Sequence, residues 1–183
     1  MSQQELLKSV ISVLSRYEIP FMLTGSIVSS IQGEPRLSHD IDIIIDCNQR
    51  FVSILYDNFN KDAYYFDDAA INEAIANQFM FNLIEMETGD KIDFWILTDS
   101  AFDNSRFARR IKVELFEETA FISSPEDTML AKMLWAKKSG GSEKQLTDVR
   151  QVFKCNAATI DYDYIEKWSL ILGVKHLWDA IGK

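Results

Sequence analysis

Residues 21–46 read FMLTGSIVSSIQGEPRLSHDIDIIID, and their pattern decides the fold class. FMLT is a short apolar run of strand character, ended by the turn pair Gly25-Ser26. Ser26 to Ile31 fits a short helix, closed by Gly33 and Pro35. HDIDIIID then reads as a second strand. Side chains alternate in a strand, so Ile41, Ile43 and Ile45 share a face suited to a core, while Asp40 and Asp42 share the other. Those two carboxylates stand about 6.6 Å apart along the strand. Neighbouring carboxylates raise each other's pKa unless a cation neutralises them. Mg²⁺ suits the task, because it takes one or two carboxylates together with phosphate oxygens and water.

KIDFWI, residues 91–96, repeats the logic. Ile92, Phe94 and Ile96 belong to a core, leaving Lys91, Asp93 and Trp95 on the opposite face. If this strand lies beside the first, Asp93 becomes a third acid at the same place. Three acids on adjacent strands can hold two metals ~4 Å apart, an arrangement that clamps attacking and leaving oxygens in phosphoryl transfer. Gly25 lets backbone N–H groups approach a phosphate, and the following helix N-terminus adds partial positive charge. Ser26 offers one more hydrogen bond. Arg36, in the loop before the acids, can meet a phosphate or pair with an acid.

Outward from this centre, residues 3–17 show helical spacing, and Pro20 ends that helix. NQRFVSILYDNF reads as a helix with Asn48 as N-cap, and AINEAIANQ as another. QFMFNLIEM and KIDFWIL form a strand pair around the turn ETGD, with one or two more strands over 111–122. The order αβαβαββ predicts an α/β (α+β) fold: a mixed sheet flanked by helices. The character changes at Ser123. SSPEDTMLAKMLWAKKSGG carries helix-start marks in Ser124, Pro125 and Asp127, and further helices follow. The expected division is a core over 1–122 and a helical part over 123–183 packed on it.

Composition bounds the function. The 183 residues, 47% hydrophobic, carry a formal net charge of −9, with 28 acids against 19 bases. That balance argues against a broad grip on long duplex nucleic acid, which needs many Lys and Arg contacts, and leaves room for a local basic site. RFARRIK, residues 106–112, reads as a solvated helix end. Cys47 and Cys155 show no metal-ligand spacing. The opening MSQQELLKSVISVLSRYE lacks the features of a signal peptide, and no apolar run approaches the ~18 residues of a membrane span. A cytoplasmic protein is the expectation. Trp135, Trp168 and Trp178 read as packing residues and not as stacking platforms. Alternation gives His39 a structural place, and Asp46 reads as a cap.

Gly25-Ser26, thirteen residues, then Asp40-Ile41-Asp42, with Asp93 as a later acid, resembles the signature of the nucleotidyltransferase superfamily with the polymerase-β-like fold. GEPRLSHDIDIII looks especially like the minimal and abortive-infection-type nucleotidyltransferase toxins. The resemblance covers roughly residues 20–153 and is more specific in the acid set than in the helices. Ser26 stands where many of these toxins have a second glycine. SPEDTMLAKMLWA and QLTDVRQVF extend the likeness. By it, Lys132 would contact nucleotide phosphates and Asp148 would support the site, although Gln145 and Leu146 replace the basic residue often seen there. The resemblance implies transfer of an NMP from an NTP to an acceptor hydroxyl on an RNA end, a protein or a small molecule. Mg²⁺ or Mn²⁺ would be held by Asp40, Asp42 and Asp93, and pyrophosphate released. A toxin would have a cognate antitoxin as partner. The competing expectation is an inactive module of the same fold that binds nucleotide or protein.

Overall fold

The computed structural model describes residues 2–35 and 40–181; Arg36 and His39 lie outside the described residues. The chain opens with α1 (Gln3–Arg16), started by a reciprocal cap. Ser2 Oγ accepts from the Glu5 N–H, and Glu5 accepts from the Ser2 N–H at 2.7 Å, so two otherwise orphaned donors are satisfied. Then come β1 (Phe21–Thr24), α2 (Gly25–Gln32), β2 (Asp40–Ile45), α3 (Arg50–Asn58), β3 (Tyr64–Tyr65) and α4 (Asp68–Asn77). The hairpin strands β4 (Met80–Glu85) and β5 (Lys91–Ile96) follow, then α5 (Ala101–Ala108), β6 (Ile111–Leu115) and β7 (Glu118–Ile122). Four helices end the described chain: α6 (Pro125–Lys138), α7 (Glu143–Asn156), α8 (Tyr162–Ile171) and α9 (Lys175–Ile181).

The strands form one mixed sheet in the order β3-β4-β5-β2-β1-β7-β6. β2 runs parallel to β5 and β1 parallel to β7, while the other pairs are antiparallel. Period-two alternation sorts the faces as expected. Ile41, Ile43, Ile45, Ile92, Phe94 and Ile96 enter the main core with the apolar face of α1. A second cluster, built on Met129, Met133, Val149, Ile165, Trp168 and Trp178, holds the C-terminal helices together. Trp168 and Trp178 are buried there, as packing residues.

Three details depart from the sequence pattern. Helix α3 starts at Arg50 with Gln49 at its N-cap, and Asn48 instead accepts from the Arg50 N–H at 3.0 Å. The two-residue strand β3 is too short to leave a periodic signal. Only the basic end of α5 has a counterpart among the expectations, although its start signal is present: Ser100 Oγ accepts from the Asp103 N–H.

RFARRIK is not a solvated helix end. Arg106 pairs with Asp103 at 2.6 Å, and Arg110 lies over the Phe107 ring. The Arg109 guanidinium stacks 3.8 Å from the Tyr164 ring centroid and lies 3.3 Å from Glu126 and 3.4 Å from buried Asp127. Burial raises the pKa of Asp127, while bonds from Tyr164 and Ser124 and the charge of Arg109 oppose that rise. The arginine therefore joins α5 to α6 and α8, a role that only long-range packing could assign. Among the described residues no helix is long and apolar enough to cross a membrane.

Candidate active site

The polar face of the central strands floors a cleft of about 630 Å³, roofed by α6 and the start of α7. The acids reach it by register. In the parallel β2–β5 pair, Asp42 stands directly opposite Asp93 and Asp40 opposite Lys91. Thr24, the last residue of β1, faces Asp42 from the other side, which brings the Gly25-Ser26 turn to the same floor. Gly25, Ser26, Asp40, Asp42, Asp93 and Lys132 thus line one cleft. Arg36 cannot be placed with them, because it is outside the described residues.

Each acid has its own environment. Asp42 Oδ1 accepts from Trp95 Nε1 at 3.0 Å. Burial pushes its pKa up; the Trp95 bond opposes this, and the negative charges of Asp93 and Asp40 add to it. Asp93 is 8% exposed, with Oδ1 accepting from Asn82 at 2.5 Å and Oδ2 from Lys91 at 3.0 Å. Lys91 also lies 3.4 Å from Asp40. The Asp93 bond, foremost, and both negative charges raise the Lys91 pKa and keep it an ammonium.

The opposite wall is basic and aromatic. Lys132, on α6, is only 4% exposed, and its Nζ donates to Asp148 at 2.7 Å and to Gln145 at 3.2 Å. Asp148 also accepts from Ser29 at 3.4 Å, linking α2, α6 and α7. A solvated lysine would not be held this way. Trp135, one turn along from Lys132, departs from the packing role expected of it. It is 51% exposed and meets Trp95 edge-on at 6.1 Å. Phe79, 62% exposed, meets Trp95 at 6.2 Å and completes an aromatic rim. Alternation already placed Lys91 and Trp95 on the acid face, but their contacts with Asp40, Asp42 and Asp93 become visible only when β5 lies against β2.

The donor set suits a hard divalent cation. Three carboxylates face one cleft, and half-buried Asp42 is short of positive compensation. Among the described residues, no group of three or more His, Cys, Asp or Glu side chains is arranged to hold a metal ion by itself. Asp40 and Asp42 would therefore hold Mg²⁺ together with oxygens from a substrate, the usual habit of that ion.

No protein-family model matches this chain, and no curated protein matches it in sequence. Solved structures do. An antigenic nucleotidyltransferase-like protein from Paracoccidioides brasiliensis aligns over 98% of this chain and 92% of its own, with a TM-score of 0.60 at 13% identity. The fold is that of the nucleotidyltransferases. ANT(2'')-Ia in complex with adenylyl-2''-tobramycin aligns over 96% of this chain and 99% of its own, with a TM-score of 0.63 at 10% identity. The lincosamide antibiotic adenylyltransferase LnuA, lincomycin-bound, aligns over 81% and 95%, with a TM-score of 0.54 at 13% identity. Here β1 leads into the Gly25-Ser26 turn, and β2 and β5 carry the three acids that line the cleft.

Proposed function

We propose that this protein transfers an NMP from an NTP to an acceptor hydroxyl, with Mg²⁺ or Mn²⁺ as cofactor. The observation that carries the reading is Asp42 and Asp93 side by side on β2 and β5, with the Gly25-Ser26 turn at one flank and Lys132 overhead. The triphosphate lies between the turn and α6. Backbone N–H groups at Gly25 and Ser26 and the ammonium of Lys132 neutralise its β- and γ-phosphates. Asp40 and Asp42 would hold the divalent ion, which would supply charge neutralisation at the phosphates. Asp148 and Gln145 fix the amine of Lys132, so it is aimed before substrate arrives.

Asp93 takes the proton from the acceptor hydroxyl. Asn82 and Lys91 hold that carboxylate in one orientation, and its remaining lone pairs stay open to the hydroxyl. The acceptor oxygen forms a bond to the α-phosphorus, the bond from that phosphorus to the bridging oxygen breaks, and pyrophosphate leaves. In-line displacement puts the acceptor opposite the leaving group. Pyrophosphate departs on the β1 side, so the acceptor enters from the β4–β5 side, past Trp95, Phe79 and Trp135. Flat apolar surface suits the aromatic rim. A small molecule with apolar surface beside its hydroxyl is the acceptor this favours. A toxin role with an antitoxin partner rests on the GEPRLSHDIDIII resemblance, and growth arrest on expression tests it.

Calorimetric titration with each of the four NTPs, with Mg²⁺ and with excess EDTA, tests the core of the reading. Metal-dependent binding of at least one NTP is expected. Absence of binding, or equal affinity in EDTA for every NTP, would sink it.

A further inference from the structure

Lys91 opens β5 directly opposite Asp40, and its ammonium stands 3.0 Å from Asp93 and 3.4 Å from Asp40. One side chain thus bridges two acids that come from different strands. Asp42, between them on the floor, accepts instead from Trp95. We propose that Lys91 is a built-in cation of the acidic cleft, standing where a second divalent ion would bind, so that the site takes one Mg²⁺ or Mn²⁺ with the triphosphate and not two. The inference rests on the nucleotidyl-transfer reading and concerns the metal count of that same site.

Three considerations carry it. Paired metal ions in phosphoryl transfer sit about 3.5–4 Å apart and share carboxylates. An ion on the Asp93 side would need the Asp93 oxygen that Lys91 already holds at 3.0 Å. Charge points the same way: an ammonium beside Asp93 and Asp40 already offsets part of the negative charge that a second ion would neutralise. Finally, the ammonium is a compact point charge with three donors, so after bonding both acids it keeps one proton for a substrate oxygen. Its position is set by the strand register and not by a loop, and the side chain is 37% exposed, so removing its charge leaves the packed core intact.

Electron paramagnetic resonance of free Mn²⁺ counts the ions bound by the full chain with saturating non-hydrolysable ATP or GTP analogue. Wild type should bind one Mn²⁺ per chain. Lys91→Met should bind two, and Lys91→Arg should return to one, because it restores the charge. Melting curves supply a readout independent of activity. Metal-free Lys91→Met should melt below wild type, and Mn²⁺ should raise its Tm more than it raises that of wild type. Two ions on wild type, or one on Lys91→Met, would overturn the inference while leaving nucleotidyl transfer standing. No nucleotide-dependent Mn²⁺ on any of the three proteins would overturn both.

Discussion

Gly25 and Asp42 are in contact that only a glycine permits: a Cβ on Gly25 would stand 2.0 Å from Asp42 Oδ2. Gly25 also has a φ of +70°, in the left-handed region that side chains disfavour. The turn and the acid doublet are thus one unit, although they are separated in sequence. Gly25→Ala should push the Asp42 carboxylate from its place and strain the turn. NTP affinity should fall at least tenfold while the helical content seen by circular dichroism is retained. Unchanged affinity would separate the turn from the site.

Asp93→Asn keeps size and polarity but removes the base. Turnover should fall by about 10²–10⁴-fold, the usual range for general-base catalysis, while NTP affinity changes far less. Single-turnover transfer to an acceptor, set beside NTP titration, checks the split. A wild-type rate would move the base elsewhere.

Asp42→Asn should abolish metal-dependent NTP binding yet stabilise the metal-free protein at neutral pH. The sign follows from the raised pKa of Asp42 in the folded state. The folded protein binds this proton more tightly than the unfolded chain, so stability is present below the ordinary aspartate pKa and is lost as pH rises through the raised value. Asparagine carries no charge at any pH and escapes that loss. Urea unfolding in EDTA should show the variant more stable at pH 7, with the gap closing toward pH 3.

Lys132 and Asp148 form a buried pair, 5% and 7% exposed in their side chains. Breaking such a pair from one side usually costs about 3–5 kcal/mol, because the remaining charge loses compensation in a dry site. Asp148→Ala should therefore lower unfolding stability by an amount of that order and weaken NTP binding, since Lys132 loses its aim. Full stability in denaturant titration would contradict the pairing.

Trp135→Ala should cost little stability, because half of the ring is already in solvent. It should raise the acceptor KM several-fold with a smaller change in NTP affinity. Quenching of Trp95 and Trp135 fluorescence by acceptor, lost in part in the variant, checks the aromatic rim directly.

The sequence by itself determined what depends on short-range pattern. Alternation in DIDIII and KIDFWI sorted core isoleucines from cleft acids, because a strand reverses its side chains at every residue. The start of α6 was written in Ser124 with Asp127, because a cap is closed within one turn. Tertiary structure decided the rest. Asp93 meets Asp42 only because β5 lies parallel to β2 at that register, a pairing across fifty-one residues that no local signal encodes. The same holds for α6. It is covered on several sides, burying Glu126, Asp127, Met129, Lys132, Met133 and Ala136, so it shows no clean apolar stripe from which Lys132 could be read as inside and Trp135 as half outside. Which face of a helix meets solvent is settled by the elements packed around it, and those come from distant parts of the chain.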